Sequence, residues 1–433
     1  MLRTVATVDP ASSPQSEPAE SEPAGLSTRE VLRHGSVSAL LVANVVLYTG
    51  VTLQAAALGK QAFDITGRAA DLGWIGLCEF LPAALLVLVT GPLVDRHDRK
   101  RIAVFAILAE VVTSVALLLY ALGNPTKVWP LFVIAFMYGI SRAFMAPATR
   151  TMPPMVAPAG GLPKVIALWS GTWTAASILG PAMSGFLYAV HPWVAYLASS
   201  ALIAAAAFLV GFIRFERVPA PPDPDEKPTF RSAIEGLLFI RRTPILFAAI
   251  SLDLFAVLFG GAVALLPAIA KDRLLVGDVA YGWLRAAPGI GAAAMAMALA
   301  IRPVRRRVGR KLLFVVAVFG LATIVLGVTR SYAVAFGALI VLSAADMVSV
   351  FIRGSLVPLV TPDEKRGRVM AVENVFIGAS NELGAFESGL VGQALGTPAT
   401  VIGGGVATVA IVGLWWFSFP SLRDVDRLED LGH

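Results

Sequence analysis

The chain has 433 residues, of which 57% are hydrophobic and only 15% charged, and its mean hydropathy is +0.75. Soluble proteins carry about 25% charged residues, so a soluble enzyme is excluded. The single cysteine, Cys78, cannot form an internal disulfide, and four histidines beside it supply no metal-ligand cluster and call for no cofactor. The net charge of +6 does not indicate nucleic acid, because the basic residues sit in short loops between apolar blocks, as membrane topology requires.

In chain order, residues 1–35 are rich in Ser, Pro, Glu and Ala and are expected to form a disordered cytoplasmic tail. The apolar run begins only near Val37, with no signal-peptide pattern before it. Twelve apolar blocks follow, at about 36–59, 72–94, 102–123, 128–149, 165–190, 193–213, 245–270, 281–301, 312–329, 332–357, 369–393 and 397–419. Each matches the ~20 residues that a helix needs to cross a bilayer. With the N-terminus inside, 26 Lys and Arg fall on the inner side and six on the outer, which places both termini in the cytoplasm. The longest inner loop, 215–243, holds the hydrophilic run from Pro219 to Pro228 and divides the chain into halves of six spans, 36–214 and 244–419, before a cytoplasmic tail at 420–433.

The halves read as repeats. An offset of 204 aligns Pro154 with Pro358, Val156 with Val360, Val165 with Val369, Gly180 with Gly384 and Gly185 with Gly389. The expected fold is therefore an all-α polytopic membrane protein, twelve transmembrane helices in two pseudo-symmetric six-helix bundles. Such a layout puts a solute site at the interface of the halves.

The loop between the second and third spans reads Gly91-Pro-Leu-Val-Asp95-Arg96-His-Asp-Arg99-Lys100-Arg101. It resembles the G-x-x-x-D-R-x-G-R-R/K signature of the major facilitator superfamily, with Asp98 where that family usually has glycine. The second half keeps Gly309-Arg310-Lys311 but has Arg306 at the acidic position. Gly180-Pro181-Ala-Met-Ser184-Gly185 is similar to the G-P-x-x-G-G signature associated with proton-coupled antiporters, and a Gly-Pro pair inside a membrane helix bends it. Tyr138–Val156 and Pro358–Val369 resemble the branch with enterobactin exporters and macrolide efflux proteins. The resemblance implies the conformational role of Gly91, Asp95, Arg96, Arg99, Lys100, Gly180 and Pro181.

Ionisable groups within spans are costly and ask for a reason. They are Glu79, Glu110, Arg142, Asp253, Arg285, Asp346, Arg353, Glu373, Glu382 and Glu387. On the eleventh span Glu373, Asn374, Ser380, Asn381, Glu387 and Ser388 share an arc of about 140°, with Glu382 opposite. On the fifth, Trp169, Ser170, Trp173, Ser177, Gly180 and Ser184 fall within about 100°. The resemblance puts these two spans beside the central cavity. Candidates for proton coupling are Asp253, which stands alone in its span, Glu373, Glu387 and Glu79. Candidates for lining the substrate cavity are Trp169, Trp173, Arg142, Asp346, Arg353, Asn374 and Asn381. Arg142, Asp346 and Arg353 each need a partner on another span.

No nucleophile–base pair, metal set or nucleotide loop is present, so no enzyme is expected. The reading is a monomeric secondary active exporter of a bacterial inner membrane, with no nucleic-acid partner. It exchanges a small amphipathic molecule, a drug or a siderophore, for protons. A siderophore would require Arg142 and Arg353 to be exposed. The alternative is a lipid or lysophospholipid transporter of the same fold, marked by a lateral opening between the fifth and eighth spans.

Overall fold

A computed structural model describes residues 26–215 and 230–431. A short capped helix, α1 (Thr28–Arg33), opens it within the segment expected to be disordered. Ser27 and Glu30 form a reciprocal capping box, and Val31 is fully buried against the helices that follow. Then come α2 (Gly35–Thr66), α3 (Ala69–Arg96), α4 (Arg99–Leu122), α5 (Trp129–Arg150), the one-turn α6 (Pro153–Val156), α7 (Leu162–Val190) and α8 (Pro192–Phe212). The second part of the chain holds α9 (Phe230–Arg242), α10 (Pro244–Phe259) and, after a 3-10 turn, α11 (Leu266–Ala268). It continues with α12 (Asp278–Ile301), α13 (Val308–Val328), α14 (Tyr332–Val360), α15 (Asp363–Leu395), α16 (Thr397–Ser418) and α17 (Pro420–Arg423).

Their ends follow local chemistry. α2 stops at Gly67, whose φ of +64° lets its N–H close on the Phe63 carbonyl. α5, α8, α10 and α16 each start with proline in the first turn, where no N–H is needed. Asp98, the departure from the family signature, is the N-cap of α4 and accepts from the Lys100 and Arg101 amides at 2.9 and 3.2 Å.

Among the described residues, ten helical stretches are long and apolar enough to cross a membrane. The twelve expected include two that fall short on apolarity, α7 with 29 residues and α15 with 33. Both exceed the bilayer core in length, at about 44 and 50 Å. The Ser, Asn and Glu arcs read in the sequence contribute to their polarity. The chain is an all-α, multi-spanning membrane protein.

Within the first part α2 packs on α7 and α8, α3 on α5, and α4 on α5 and α8. Within the second, α10 packs on α15 and α16, α12 on α14, and α13 on α14 and α16. Two seams join the parts, α7 on α12 and α3 on α15. Glycine pairs make both seams. A Cβ on Gly282 would meet the Gly185 Cα at 2.6 Å, and one on Gly389 the Gly73 amide at 2.7 Å. Gly185 and Gly389 are one of the repeat pairs. A core cluster of Phe63, Ala69 and Leu72 with Leu265, Leu266, Ile269, Leu284 and Leu339 is also shared by both parts. All of this lies toward one end of the molecule, the end that carries Lys60.

The C-terminal segment, expected to be a tail, folds back on α13. The amides of Val308 and Gly309, which no helix carbonyl can reach, donate to the Asp426 and Val425 carbonyls at 3.2 and 3.1 Å.

Candidate functional site

At the Lys60 end four helical segments meet through charge. The Lys60 ammonium of α2 contacts Asp64 Oδ2 at 2.5 Å and Asp278 Oδ1 of α12 at 3.0 Å. Lys271, which follows α11, reaches Asp64 Oδ1 at 3.1 Å. The Tyr188 hydroxyl of α7 donates to Asp64 Oδ2 at 3.1 Å, and its ring lies 5.3 Å from the Lys60 ammonium. One turn below, Tyr281 of α12 donates to the Ala56 carbonyl of α2 at 3.0 Å. The network ties the first part of the chain to the second over the glycine seam.

Midway along the helices a second cross-contact is looser. Arg142 of α5 stands 3.7 Å from Glu382 of α15, with side chains 44% and 23% exposed. Among the described residues this is the one ion pair of Arg142, and no hydrogen bond uses its guanidinium donors. Glu79 of α3 has no ion pair among the described residues and lies within electrostatic reach of Glu382, Arg142 and Arg285. Tyr48 bonds to Thr149 at 3.3 Å, seven residues beyond Arg142 on the same face of α5. Its ring meets exposed Trp173 of α7 edge-on at 4.7 Å between centroids. The Arg142–Glu382 contact thus bridges the two parts where both side chains keep solvent access, and the Tyr48–Trp173 ring pair lies on the same part as Arg142.

A third cluster lies inside the second part. Arg353 of α14 is 3% exposed and holds Asp253 of α10 at 2.7 Å and Glu373 of α15 at 3.8 Å. Asp253 therefore does not stand alone as its isolation in the sequence suggested; its cation comes from a helix about 100 residues further on. Asp346 and Asp253 line a cavity of about 10 Å³, room for roughly one water. Arg353 is taken up inside the fold.

The polar arc of α15 divides. Glu373 is buried with Arg353, while exposed Asn374 and Asn381 donate back to the Met370 and Ile377 carbonyls of their own helix at 2.9 and 2.8 Å. Glu387 accepts from Ser388 at 3.5 Å. On α7, Trp169 is half-buried against the first core, and Gly180 packs against α2 beside Thr52, which donates to the Ala176 carbonyl at 2.9 Å. Pro181 lies inside α7. Gly91, Asp95 and Arg96 fall in the last turns of α3, and their side chains lie outside the described residues. Lys100 donates to the Ile213 carbonyl at 2.9 Å, closing the end of α8, and Arg99 begins α4.

Sequence reasoning did not single out Lys60, Asp64, Lys271, Asp278 or Glu382 as site residues. The first four fall in the outer loops by the boundaries of the apolar blocks. Glu382 lay opposite the main polar arc, and that isolation was itself the signal of a partner on another helix.

A family model described as the Major Facilitator Superfamily matches residues 40–354. The chain belongs to that superfamily and is a multi-pass membrane transporter rather than an enzyme. It is 30% identical over 232 residues to macrolide efflux protein A of Streptococcus pyogenes, covering 53% of this chain and 56% of that protein. The match thus spans about half the length of that relative. The multidrug efflux pump Tap of Mycolicibacterium fortuitum is 23% identical over 415 residues, 91% of this chain and 98% of Tap. Among solved structures, the nucleoside transporter NupG superposes with a TM-score of 0.68 at 14% identity over 90% of this chain and 100% of that one. A bacterial homologue of the lysosomal transporter Spinster, inward-facing and unoccupied, gives 0.67 at 15% identity over 90% and 99%. These structural likenesses carry the fold.

Proposed function

We propose that the chain is a secondary active exporter that exchanges a small amphipathic molecule for protons by alternating access. The observation that carries this reading is the Arg142–Glu382 pair: two charges on opposite parts of the chain, solvent-accessible and loosely paired. A pair held this loosely can be parted by a solute or by a proton on the acid, and either event alters what joins the two parts. In this reading α7 and α15 complete twelve spans, residues 36–214 and 244–419 form the two bundles, and 215–243 links them. The end with Lys100 and the basic loops faces the cytoplasm. The Lys60 end is then outer and shut.

Among the proton-coupling candidates, Asp253 and Glu373 are engaged by Arg353, which favours Glu79 and Glu387, with Glu382 added. The burial of Arg353 removes one of the two exposed arginines that an anionic siderophore would require, which favours a drug-like amphipathic substrate. Efflux proteins among the relatives point the same way. The close approach of α7 and α12 at Gly185 and Gly282 disfavours lateral entry of a lipid at that point of the seam.

The test is fluorescence dequenching in energised inside-out vesicles, with drugs, siderophores and lysolipids added one at a time. Antiport predicts that one class triggers proton movement absent from empty vesicles, and that Glu382→Gln removes the proton movement while binding persists. Binding without proton movement in the unaltered protein refutes antiport.

A further inference from the structure

Helix α9 lies at the Lys100 end and runs through Thr243 directly into α10, the start of a membrane-crossing stretch. One face of α9 is fixed to α15. A Cβ on Gly236 would meet the Arg368 carbonyl at 2.9 Å, Glu235 pairs with Arg368 at 2.7 Å, and the Lys365 ammonium lies 4.8 Å over the Phe239 ring. Ile240 completes this buried side. The opposite face carries exposed Ile234, Leu237, Leu238, Arg241 and Arg242, which share an arc of about 140° at 100° per residue.

Water alone does not account for that face, because three large aliphatic side chains in one arc form an unfavourable patch in water. Nor does burial in hydrocarbon, because two arginines share the arc. Among the described residues neither arginine has an ion-pair partner. Aliphatic bodies beside basic tips, on a helix tied to the start of a span, match the boundary between acyl chains and headgroups.

We propose that the exposed face of α9 is a binding surface for anionic phospholipid, with Arg241 and Arg242 on the headgroup phosphates and Ile234, Leu237 and Leu238 in the upper acyl layer. The acidic lipid is favoured over a zwitterionic one because two guanidiniums lie together with no carboxylate in their arc among the described residues. Since the other face of α9 grips the first two turns of α15, lipid bound there bears on the helix that supplies Glu382.

The experiment is native mass spectrometry of the full-length protein titrated with phosphatidylglycerol and with phosphatidylcholine, a readout that needs no transport. The unaltered protein should retain phosphatidylglycerol preferentially, and R241Q/R242Q should lower that preference about 25-fold at unchanged melting temperature, as each basic residue near an anionic surface contributes a factor of about five. R241K/R242K should keep most of it. R305Q/R306Q, which changes two exposed arginines of another basic loop, should leave it within about twofold. An equal loss in R305Q/R306Q would mean diffuse charge attraction and overturn the assignment. So would displacement of the lipid by millimolar inorganic phosphate, which would indicate a site for the free anion.

Discussion

Replacing Lys60 with methionine keeps the length of the side chain and removes its charge. The Lys60 side chain is 9% exposed, and its ammonium sits between Asp64 and Asp278, whose side chains are 27% and 32% exposed. Removing one partner of a fully buried pair costs about 3–5 kcal/mol. Asp64 retains Lys271 and Tyr188, and partial solvent access screens the remainder, so a loss of about 1.5–3 kcal/mol is expected here. That loss falls on the conformation in which the Lys60 end is shut, because the same groups are hydrated once α2 and α12 part. The shut-to-open ratio should then drop by a factor of about 10–150. The assay uses a Cys78→Ser background with Ser170→Cys, a position on the opposite half of α7. A membrane-impermeant maleimide is applied outside intact cells, the side on which the proposed function puts the Lys60 end. Labelling at 170 should rise on the order of tenfold in Lys60→Met and return toward the starting value in Lys60→Arg. Gly282→Val opens the same end sterically, because its Cβ would lie 2.6 Å from the Gly185 Cα. If Gly282→Val raises labelling and Lys60→Met does not, the glycine seam alone holds this end and the argument from charge is wrong.

Other outcomes follow from single contacts. Gln54 donates to Glu110 at 2.9 Å and accepts from Ser199 at 3.2 Å in a fully buried network, and Glu110 Oε2 has no partner there. Gln54→Leu should therefore lower thermal stability by about 1–3 kcal/mol, measured by melting in detergent, whereas Glu110→Gln, which keeps the acceptor, should lower it less. The Glu30 carboxylate accepts from the Ser27 side chain and the Ser27 amide, the latter at 2.6 Å, which holds its pKa below the ordinary carboxylate range. Its contribution to α1 is present at neutral pH and is lost as pH falls through that lowered value. The protection factor of the Val31 amide, its exchange rate set against the intrinsic rate at each pH, should fall as the pH drops through that lowered value in the unaltered chain, and Glu30→Ala should remove the pH step.

Much of the fold was legible because apolar runs are continuous. The sixth block, read as 193–213, is α8 from Pro192 to Phe212, and the last, read as 397–419, is α16 from Thr397 to Ser418. The glycine repeats were legible for a steric reason. Gly180 and Gly384 pack on α2 and α10, and Gly185 and Gly389 make the two seams, so each copy needs the absent Cβ in the same place. Pairing was not legible. A helical wheel shows which residues share a face of α15 but not which helix lies opposite, so Arg142 with Glu382 and Arg353 with Asp253 emerged only in three dimensions. Lys60 was read as a loop charge because the uncharged run ends at Gly59. The helix continues to Thr66, and those nearly two extra turns carry Lys60 and Asp64 of the network.

The two arginines separate function from stability most sharply. The offset of 204 aligns Arg142 with Asp346 and Thr149 with Arg353, so the backbone repeats while the charges do not. In the first part the Thr149 position makes a neutral hydrogen bond to Tyr48 at 3.3 Å, leaving Arg142 to face the space between the parts. In the second part the same position is Arg353, consumed by Asp253 and Glu373 inside the fold. Arg353→Met should therefore destabilise the protein by about 3–5 kcal/mol, as an uncompensated pair of buried acids is left behind, and adding Asp253→Leu should recover part of that loss. Arg142→Met removes one half-exposed partner and should change stability by less than about 1 kcal/mol. Its effect should appear in substrate-driven proton movement instead. Asp253→Asn carries the matching distinction: as a coupling acid it would stop uphill transport and spare downhill exchange, whereas as the partner of Arg353 it should weaken both along with the melting temperature. Measuring melting and exchange on the same four preparations decides between these roles. A stable Arg353→Met protein that exchanges substrate normally would refute the division of labour drawn from the geometry.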